Sequence, residues 1–468
     1  IKMSRKKINR LRERFKKGMA SSFEKINSSI ETDSFLFNED IEGSIAHTEM
    51  LVKQKIISPS ESTKIIRGLK KIKSEIKSNK FIFSSDLEDI HLNIETRLFE
   101  LIGDAAGKLH TARSRNDQVV TDLKLWMKKD QMSILKKVKK VKSVIVQLAK
   151  KNKKTIIPGL THFQSAQPIS AGHYFLAYYE MFKRDTIRFS EALKRIDESP
   201  LGSCALAGTQ YKINRFQTSK KLGFKKPSRN SIDSVADRDF VIDFLSNASI
   251  LSVHLSRISE EIVLFSSDLI NIFKLGDEVV SSSSILPQKR NPDGAELIRA
   301  KAAVTFSNLN SALNLLKSLP LTYSKDLQED KQLVTNASSN LKISLDCIID
   351  ILNNLEINKK NAERYLNNSF SNATELADWL VINLNYTFRE AHSIASKIVN
   401  YSEKKGKFLT DLSLTDFKKF DSRISKNLIN SLKIENAVNN KISYGGTSIS
   451  EVSKMIVIAK KEMLNEKI

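Results

Sequence analysis

A dense run of hydroxyl, ammonium and amide groups lies between residues 281 and 293, where four serines lead into Pro-Gln-Lys-Arg-Asn-Pro-Asp. Lys289 and Asn291 can hold a carboxylate, and Glu296 follows a few residues later. The serines have no neighbouring histidine and no Gly-x-Ser-x-Gly elbow, so nucleophilic hydrolysis is not indicated. These residue types predict a loop that binds a carboxylate and moves a proton.

Two further loops carry groups that bind or move charge. In 108–117, two arginines and an asparagine precede a long helical pattern, and donors at a helix N-terminus suit an anion. A capping network in which Asp117 pairs with an arginine is the structural alternative. In 158–168, His162 lies beside Thr161 in a loop between two prolines. A lone histidine is more often structural, but this polar setting favours proton transfer. Another polar segment, 323–331, precedes the last long helical pattern.

The elements that must position these loops are predicted to be helices. Gly and Pro, which break helices, number only 15 and 8 in 468 residues. Apolar residues at three- and four-residue spacing predict five long helices, at about 118–152, 168–197, 233–273, 294–317 and 330–355. The third would be about 60 Å long, which exceeds a compact domain. We therefore expect copies of the chain to share a helix bundle in a homo-oligomer.

Breaks in the helical patterns predict three domains. Residues 1–110 form an N-terminal helical domain, 111–360 a central long-helix bundle that carries the serine loop, and 361–468 a small C-terminal helical domain.

The formal charge of +23 has two interpretations. It could indicate a nucleic-acid or membrane partner, but the lysines are scattered, which favours a solvated lysine-rich surface. Cys204 and Cys347 form neither a metal spacing nor a disulfide framework, so we expect a reducing cytoplasm. The basic N-terminus lacks the apolar segment of a signal peptide, and no run reaches the ~20 apolar residues of a membrane span.

The serine loop resembles the Gly-Ser-Ser-x-Met-Pro-x-Lys-x-Asn signature of the fumarase/aspartase superfamily. Five segments in order resemble the argininosuccinate lyase family within it: 110–126, 202–211, 234–244, 287–293 and 319–331. The resemblance implies a mainly α-helical, three-domain fold whose central long-helix bundle is shared in a homotetramer, with loops of three subunits at each active site. It also implies reversible cleavage of argininosuccinate to arginine and fumarate, the last step of arginine biosynthesis, with no metal and no organic cofactor.

The same resemblance implies a role for each matching residue. Ser283 would be the base that removes a proton from the carbon next to the one that bears the departing nitrogen. Lys289 would stabilise the resulting carbanion, His162 would act as general acid, and Glu296 would orient and charge-balance His162. Residues expected to bind or adjoin the substrate are Ser29, His91, Arg115, Asn116, Thr161, Asn291, Tyr323, Gln328 and Lys331.

The chain departs from the family pattern at several positions. Ser282, Ala112 and Cys204 stand where the family has glycine, and we expect strain at Ser282 if its φ is positive. Leu286 replaces a methionine, Leu160 replaces a tyrosine, and 10–15 keep only Arg-Phe of an N-terminal Trp-Gly-Gly-Arg-Phe segment. No proposed catalytic group is lost, so an active enzyme is expected.

Three other functions remain open at this point. Another lyase of the superfamily, such as adenylosuccinate lyase or aspartase, would use the same serine loop with a different leaving group. A non-catalytic crystallin-like homologue would share the fold, although the retained catalytic residues argue against it. A nucleic-acid binder is supported by the net charge alone.

Overall fold

The computed structural model describes residues 18–466, so the divergent segment 10–15 lies outside the described residues. The helices are α1 (Ser21–Asn27), α2 (Ile30–Asp33), α3 (Phe37–Lys53), α4 (Pro59–Lys77), α5 (Ile90–Ile102), α6 (Arg115–Asn152), α7 (Ala171–Arg195), α8 (Arg215–Lys221), α9 (Ser231–Ala236), α10 (Asp239–Ser266), α11 (Asp293–Leu316), α12 (Asp330–Asn353), α13 (Lys359–Asn367), α14 (Ala373–Leu384), α15 (Phe388–Lys404), α16 (Leu414–Lys418), α17 (Lys426–Ser431), α18 (Ile434–Asn439) and α19 (Ile449–Asn465). Short 3-10 helices include Gly103–His110 and Lys325–Glu329.

Short strands lie between the helices. They are β1 (Ile156–Thr161), β2 (Gln164–Ser170), β3 (Glu198–Ser199), β4 (Lys226–Pro227), β5 (Phe273–Leu275), β6 (Ser281–Ser282), β7 (Arg290–Asn291) and β8 (Leu355–Ile357). β1–β2, β5–β8 and β6–β7 pair antiparallel, and β3–β4 pair parallel. The chain is therefore mainly α-helical, as the scarcity of Gly and Pro predicted.

Four of the five predicted long helices are confirmed within a few residues: α6, α7, α11 and α12. The third prediction is wrong, because 233–273 is not one helix. α9 ends before Asp237, α10 starts at Asp239, and α10 itself stops at Ser266. The carboxylate of Asp237 accepts the N–H of Asp239, which caps the new helix and explains the break. At 28 residues, α10 is about 42 Å long rather than 60 Å.

The chain divides into two compact units. Unit 1 lies within 1–134, 188–249 and 304–340, and unit 2 within 135–187, 250–303 and 341–468. The division falls inside all five long helices, so each of them begins in one unit and ends in the other.

The core of unit 1 is built largely by α3, α4 and α5. Ile65, Leu69 and Ile72 repeat along one face of α4 and are fully buried. Gly68 lies among them, and a β-carbon there would come within 2.5 Å of the Leu98 side chain. The glycine therefore lets α4 approach the C-terminal half of α5 closely.

Unit 2 contains a separate apolar core in the C-terminal helices. Leu376 and Leu380 of α14, Ala391 and Ile398 of α15, and Phe417 of α16 are all fully buried there. Within 18–466, no helix is long and apolar enough to cross a membrane.

The cap of α4 gives a prediction about local stability. Ser58 and Glu61 form a capping box, in which the Ser58 side chain accepts the Glu61 N–H and Glu61 accepts the Ser58 N–H. We expect Ser58→Ala to cost about 1 kcal/mol, so amides in the first turns of α4 should exchange with solvent about fivefold faster. Hydrogen–deuterium exchange of a peptide covering 56–70 measures this. Ser60→Ala, in the same turn but outside the box, is the matched control and should leave the rate unchanged.

Candidate active site

Unit 1 gathers charged side chains around Ser29 and Asp33, at the ends of α2. The Ser29 hydroxyl donates to Asp33 Oδ2 at 2.6 Å, and the Ile90 N–H donates to Oδ1 at 3.1 Å. Burial raises the pKa of Asp33 to about 6, although the charges of His91 and Lys331 and the hydrogen bond from Ser29 oppose the rise. Three predicted binding residues, Ser29, His91 and Lys331, therefore act on one carboxyl group.

Arg115 is held by a carboxylate at the start of α5. Its Nη1 lies 2.5 Å from both oxygens of Asp89. Asp89 Oδ1 also accepts the Leu92 N–H at 2.7 Å and so caps α5. Burial would raise the pKa of Asp89, but the Arg115 cation, His91 and the hydrogen bonds from Leu92 and Arg115 together outweigh it and hold that pKa below its usual value. Arg115 thus links the start of α6 to the start of α5.

Lys331 shares a buried carboxylate with Arg238. Arg238 Nε lies 2.5 Å from Asp330 Oδ2, and Lys331 Nζ lies 3.0 Å from Oδ1. All three side chains are at most 3% exposed. Burial opposes ionisation of Asp330, but the two cations keep its pKa below the usual value. Arg238 is the residue at which the predicted third helix is broken, so the break places a cation beside α12.

Three further predicted residues lie in unit 1: Tyr323, Asn116 and Gln328. Burial raises the pKa of Tyr323 to about 12, and Arg238, Asp330 and Asp89 all influence it electrostatically, so it remains a neutral hydroxyl beside them. Asn116 Nδ2 donates to the Ala205 carbonyl at 3.1 Å. Gln328 is half-buried in the 3-10 helix that leads into α12.

Asp117 fixes the position of Arg115 and Asn116. Its carboxylate accepts the N–H groups of Ser114 at 3.0 Å, Gly202 at 2.9 Å and Cys204 at 2.8 Å. The structural alternative, in which Asp117 pairs with an arginine, is therefore wrong in its partner, although the capping function is present. Burial raises the pKa of Asp117 to about 6.

Unit 2 shapes the serine loop into a hairpin. Ser281 and Ser282 of β6 pair with Asn291 and Arg290 of β7. The Ser281 hydroxyl donates to Asp293 Oδ2 at 2.5 Å, which ties the loop to the start of α11. Ser282 lies in a strand and not at a positive φ, so the expected strain there is absent; Ala112 and Cys204, the other two positions that replace glycine, have φ of +57° and +54°.

The half-buried Ser283 hydroxyl lies in a turn of backbone donors. Its Oγ accepts the N–H of Leu286 at 3.1 Å and that of Ile285 at 3.3 Å. Donors aimed at an oxygen stabilise its negatively charged form. The two backbone N–H groups therefore favour an alkoxide on Ser283 over one without donors.

A cleft of about 960 Å³ adjoins this hairpin, and its lining includes Leu286, Lys289, Asn291 and Glu296. Asn291 Nδ2 lies 3.4 Å from the Ser281 hydroxyl. Glu296 is about half exposed, and Arg299 Nη2 lies 3.8 Å from its carboxylate. The predicted lysine, amide and glutamate thus line one cleft, whereas Ser283, the predicted base, lies in the loop of the same hairpin but is not among the lining residues.

His162 and Thr161 lie on a different hairpin. Residues 158–168, predicted as a loop, belong to β1 and β2, and His162 and Phe163 form the two-residue turn between them with φ of +52° and +59°. Positive φ at both positions is typical of a type I′ turn, which closes a tight hairpin. His162 is exposed, and within 18–466 neither it nor Thr161 lines the serine-loop cleft. The predicted contact between His162 and Glu296 is not formed within the described part of one chain.

Sequence reasoning missed Asp33, Asp89, Arg238 and Asp330 as members of the charged cluster. Of these four residues, Asp89 was the easiest to predict from the sequence, because an aspartate directly before an apolar helical pattern is a capping signal. Among the described residues, the one group of three potential metal ligands is Asp40, His91 and Asp122, which lie within 4.8 Å of one another. Within this group, His91 Nδ1 is hydrogen bonded to Asp40.

Comparison with known proteins gives a consistent result. A lyase family model matches 13–306, and an argininosuccinate lyase C-terminal model matches 370–439. The argininosuccinate lyase of Pelagibacter ubique is 48% identical, covering 96% of this chain and 97% of that protein. The enzyme of Ehrlichia canis is 47% identical, covering 97% and 96%.

Solved structures agree on the fold. The crystal structure of EDDS lyase in complex with formate has a TM-score of 0.84 at 27% identity, covering 92% of this chain and 86% of that one. A class II fumarase from Schistosoma mansoni has a TM-score of 0.72 at 17% identity, covering 86% and 90%. The mainly α-helical fumarase/aspartase-like fold is therefore confirmed.

The charged cluster predicts a pH-dependent effect of Asp33→Asn. The pKa of Asp33 is about 6 in the folded protein against 3.8 in the unfolded chain, so ionisation destabilises the fold as pH rises through 6. Two pKa units correspond to about 3 kcal/mol. We expect Asp33→Asn, which resembles the neutral acid, to raise Tm relative to the parent at pH 8 but not at pH 4.

Asp89→Asn provides the opposite sign, because the pKa of Asp89 is lowered and its charged form is stabilising. That variant should lose Tm at pH 8. If Asp33→Asn lowered Tm at pH 8, as Asp89→Asn is expected to, the prediction that the ionised, buried Asp33 destabilises the fold would be disproved.

Proposed function

This chain belongs to the argininosuccinate lyase family, and we propose that it cleaves argininosuccinate reversibly to arginine and fumarate, the last step of arginine biosynthesis. It is a carbon–nitrogen lyase, and the proposed route is a β-elimination through a carbanion. The observation that carries this mechanism is the Ser283 hydroxyl, whose oxygen accepts two backbone N–H groups in a loop that also bears Lys289.

Proton abstraction is assigned to Ser283. A serine hydroxyl is a poor base, because its ionised form is unfavourable near neutral pH. The two N–H donors from Ile285 and Leu286 favour the alkoxide, and a nearby lysine adds positive charge. The alkoxide takes the proton from the carbon next to a carboxylate of the substrate, and the electron pair remains on that carbon.

The carbanion that results spreads its charge into the adjacent carboxylate, which then carries more than one negative charge. Lys289 and Asn291 line the cleft beside the serine hairpin and can donate to this group. Donors already in place where charge develops are among the strongest contributions to catalysis. The carbon–nitrogen bond then breaks, which gives fumarate.

The leaving guanidinium nitrogen needs a proton, and His162 is proposed to supply it. In one chain, His162 is exposed at a hairpin turn and Glu296 is half exposed, so each is accessible to a group from another copy. We propose a homotetramer in which loops of three subunits meet and Glu296 of one copy orients His162 of another. Exposed apolar side chains along α11, among them Leu297, Val304 and Leu313, are consistent with a shared helix bundle.

The substrate is proposed to contact the charged cluster of unit 1. Argininosuccinate carries three carboxylates and a guanidinium, so both signs of charge are needed. Arg115 and Lys331 are suited to carboxylates, and hydroxyl and amide groups orient the remainder. The proposed set is Ser29, His91, Arg115, Asn116, Thr161, Asn291, Tyr323, Gln328 and Lys331. We propose a cytoplasmic location, in keeping with a chain that has two separate free cysteines.

Substrate choice is tested by following fumarate release through its ultraviolet absorbance. The C-terminal match and the curated relatives favour argininosuccinate over adenylosuccinate or aspartate. EDDS lyase, a fold relative at 26% identity, is known with bound fumarate. Turnover of adenylosuccinate without turnover of argininosuccinate would contradict the assignment, and absence of turnover with all three would favour a crystallin-like homologue.

Replacement of the base gives a sharper prediction. Ser283→Ala should lower kcat by about 10²- to 10⁴-fold, the usual contribution of a positioned base. Size-exclusion chromatography with light scattering should show an unchanged oligomer. Ser284→Ala, at the exposed neighbouring position, is the control and should retain kcat. Full activity of Ser283→Ala would refute the role of Ser283.

A further inference from the structure

Three helices of unit 1 bring buried ionisable groups together behind the substrate-binding residues. Asp40 lies on α3, His91 on α5 and Asp122 on α6. His91 Nδ1 lies 2.5 Å from Asp40 Oδ2 and 3.6 Å from Asp122 Oδ2. Each of the three residues is at most 4% exposed. Such a group must balance its charges internally, because water does not reach it.

Asp40 is the charged member of the carboxyl pair. It accepts a second hydrogen bond from Gln118 Nε2 at 2.6 Å. Burial disfavours its charge, but His91, Arg113 and the Gln118 bond outweigh this and lower the pKa of Asp40. The His91 nitrogen that faces Asp40 is therefore the one that carries a proton, since a carboxylate can only accept.

Asp122 is the neutral member. Burial and the charge of Asp40 raise its pKa well above the usual value. Its carboxyl group can approach because position 43 of α3 is glycine: a β-carbon there would lie 3.3 Å from Asp122 Oδ1. A protonated Asp122 can donate to Asp40, so the two acids share one proton and one negative charge.

The other nitrogen of His91 has no partner among residues 18–466. Nε2 is buried, and within 18–466 it makes no hydrogen bond. The charge of His91 lowers the pKa of Asp33 and of Asp89, so both carboxyls of the charged cluster lie within electrostatic reach of the ring. An unsatisfied buried nitrogen is costly unless a ligand satisfies it.

We propose that Asp40 and Asp122 are positioning residues, which hold the His91 ring so that Nε2 is presented to the substrate as a fixed polar contact. The inference rests on the proposed function for the identity of the substrate, but the Asp40–His91 bond does not. Neither acid touches the substrate; both act through the orientation and tautomer of His91.

Two substitutions of equal size distinguish the acids. Asp40→Asn removes the negative charge that faces His91 Nδ1, and kcat/KM should fall about 10- to 100-fold, the usual loss when the carboxylate behind a functional histidine is removed. Asp122→Asn is the conservative replacement. Its amide donates to Asp40 as the protonated acid does, so kcat/KM should fall far less.

A proton NMR spectrum detects the hydrogen bond between His91 Nδ1 and Asp40 independently of enzyme activity. The His91 Nδ1–H held by Asp40 should give a strongly downfield resonance, present in the parent and in Asp122→Asn and absent in Asp40→Asn and His91→Gln. Gln118→Met removes the second donor to Asp40 but not its charge, so it should shift this resonance. That variant keeps the test available if Asp40→Asn does not fold.

Asp185→Asn is the matched control, because Asp185 and His254 form a buried pair of the same type in unit 2, with 2.7 Å between His254 Nδ1 and Asp185 Oδ2. It should leave both kcat/KM and the His91 resonance unchanged. In a His91→Gln background, Asp40→Asn should cost nothing further.

The proposal would be overturned if Asp40→Asn lowered kcat/KM equally in the parent and in the His91→Gln background. It would also be overturned if Asp40→Asn and Asp122→Asn lowered kcat/KM equally. A parent protein that releases no fumarate would count against the proposed function instead, while the resonance would still report the Asp40–His91 bond.

Discussion

Buried charge that must find a partner is the constraint on which the site in unit 1 depends. Asp330 is enclosed, and its two oxygens are taken by Arg238 and Lys331. Breaking such a pair leaves an isolated buried charge, which costs several kcal/mol. The start of α12 and the junction between α9 and α10 are therefore held at fixed positions. Asp89 and Arg115 do the same for the starts of α5 and α6. Proposed substrate-binding side chains lie at these helix starts, so the ion pairs that fix the helices also fix the proposed site.

The sequence predicted what depends on periodicity and on local residue type. Four long helices follow from apolar residues at regular spacing, and the serine loop stood out through its polar groups between two helical patterns. The helix break at Asp237 could not be predicted, because the apolar pattern continues through it. The break is caused by the side-chain cap from Asp237 and by the contact of Arg238 with Asp330. The hairpin at 156–170 was hidden by its prolines, which pair with each other across the two strands.

The charged cluster itself could not be predicted from spacing, because its members come from five separated segments. Asp33 illustrates this: its carboxyl group is defined by Ser29, by the Ile90 N–H and by His91 and Lys331, which are distant in sequence. Backbone strain also lies at positions other than the one that the sequence pointed to. Ser282 adopts ordinary strand geometry, whereas Ala112 and Cys204 take the left-handed conformation at a cost of roughly 1–2 kcal/mol each. The Cys204 N–H donates to Asp117, so one of the two strained residues helps to anchor the start of α6.

The serine hairpin determines which substitutions would remove the hydrogen bonds to Ser283. Ser283 uses only the backbone N–H groups of Ile285 and Leu286, and their side chains are 83% and 43% exposed. A hydrogen bond from a main-chain N–H does not depend on which side chain the donating residue carries. Most residues at position 285 can thus supply the N–H, whereas the side chain at 286, a leucine in place of methionine, also lines the cleft. Proline is the exception, because it alone has no N–H to give.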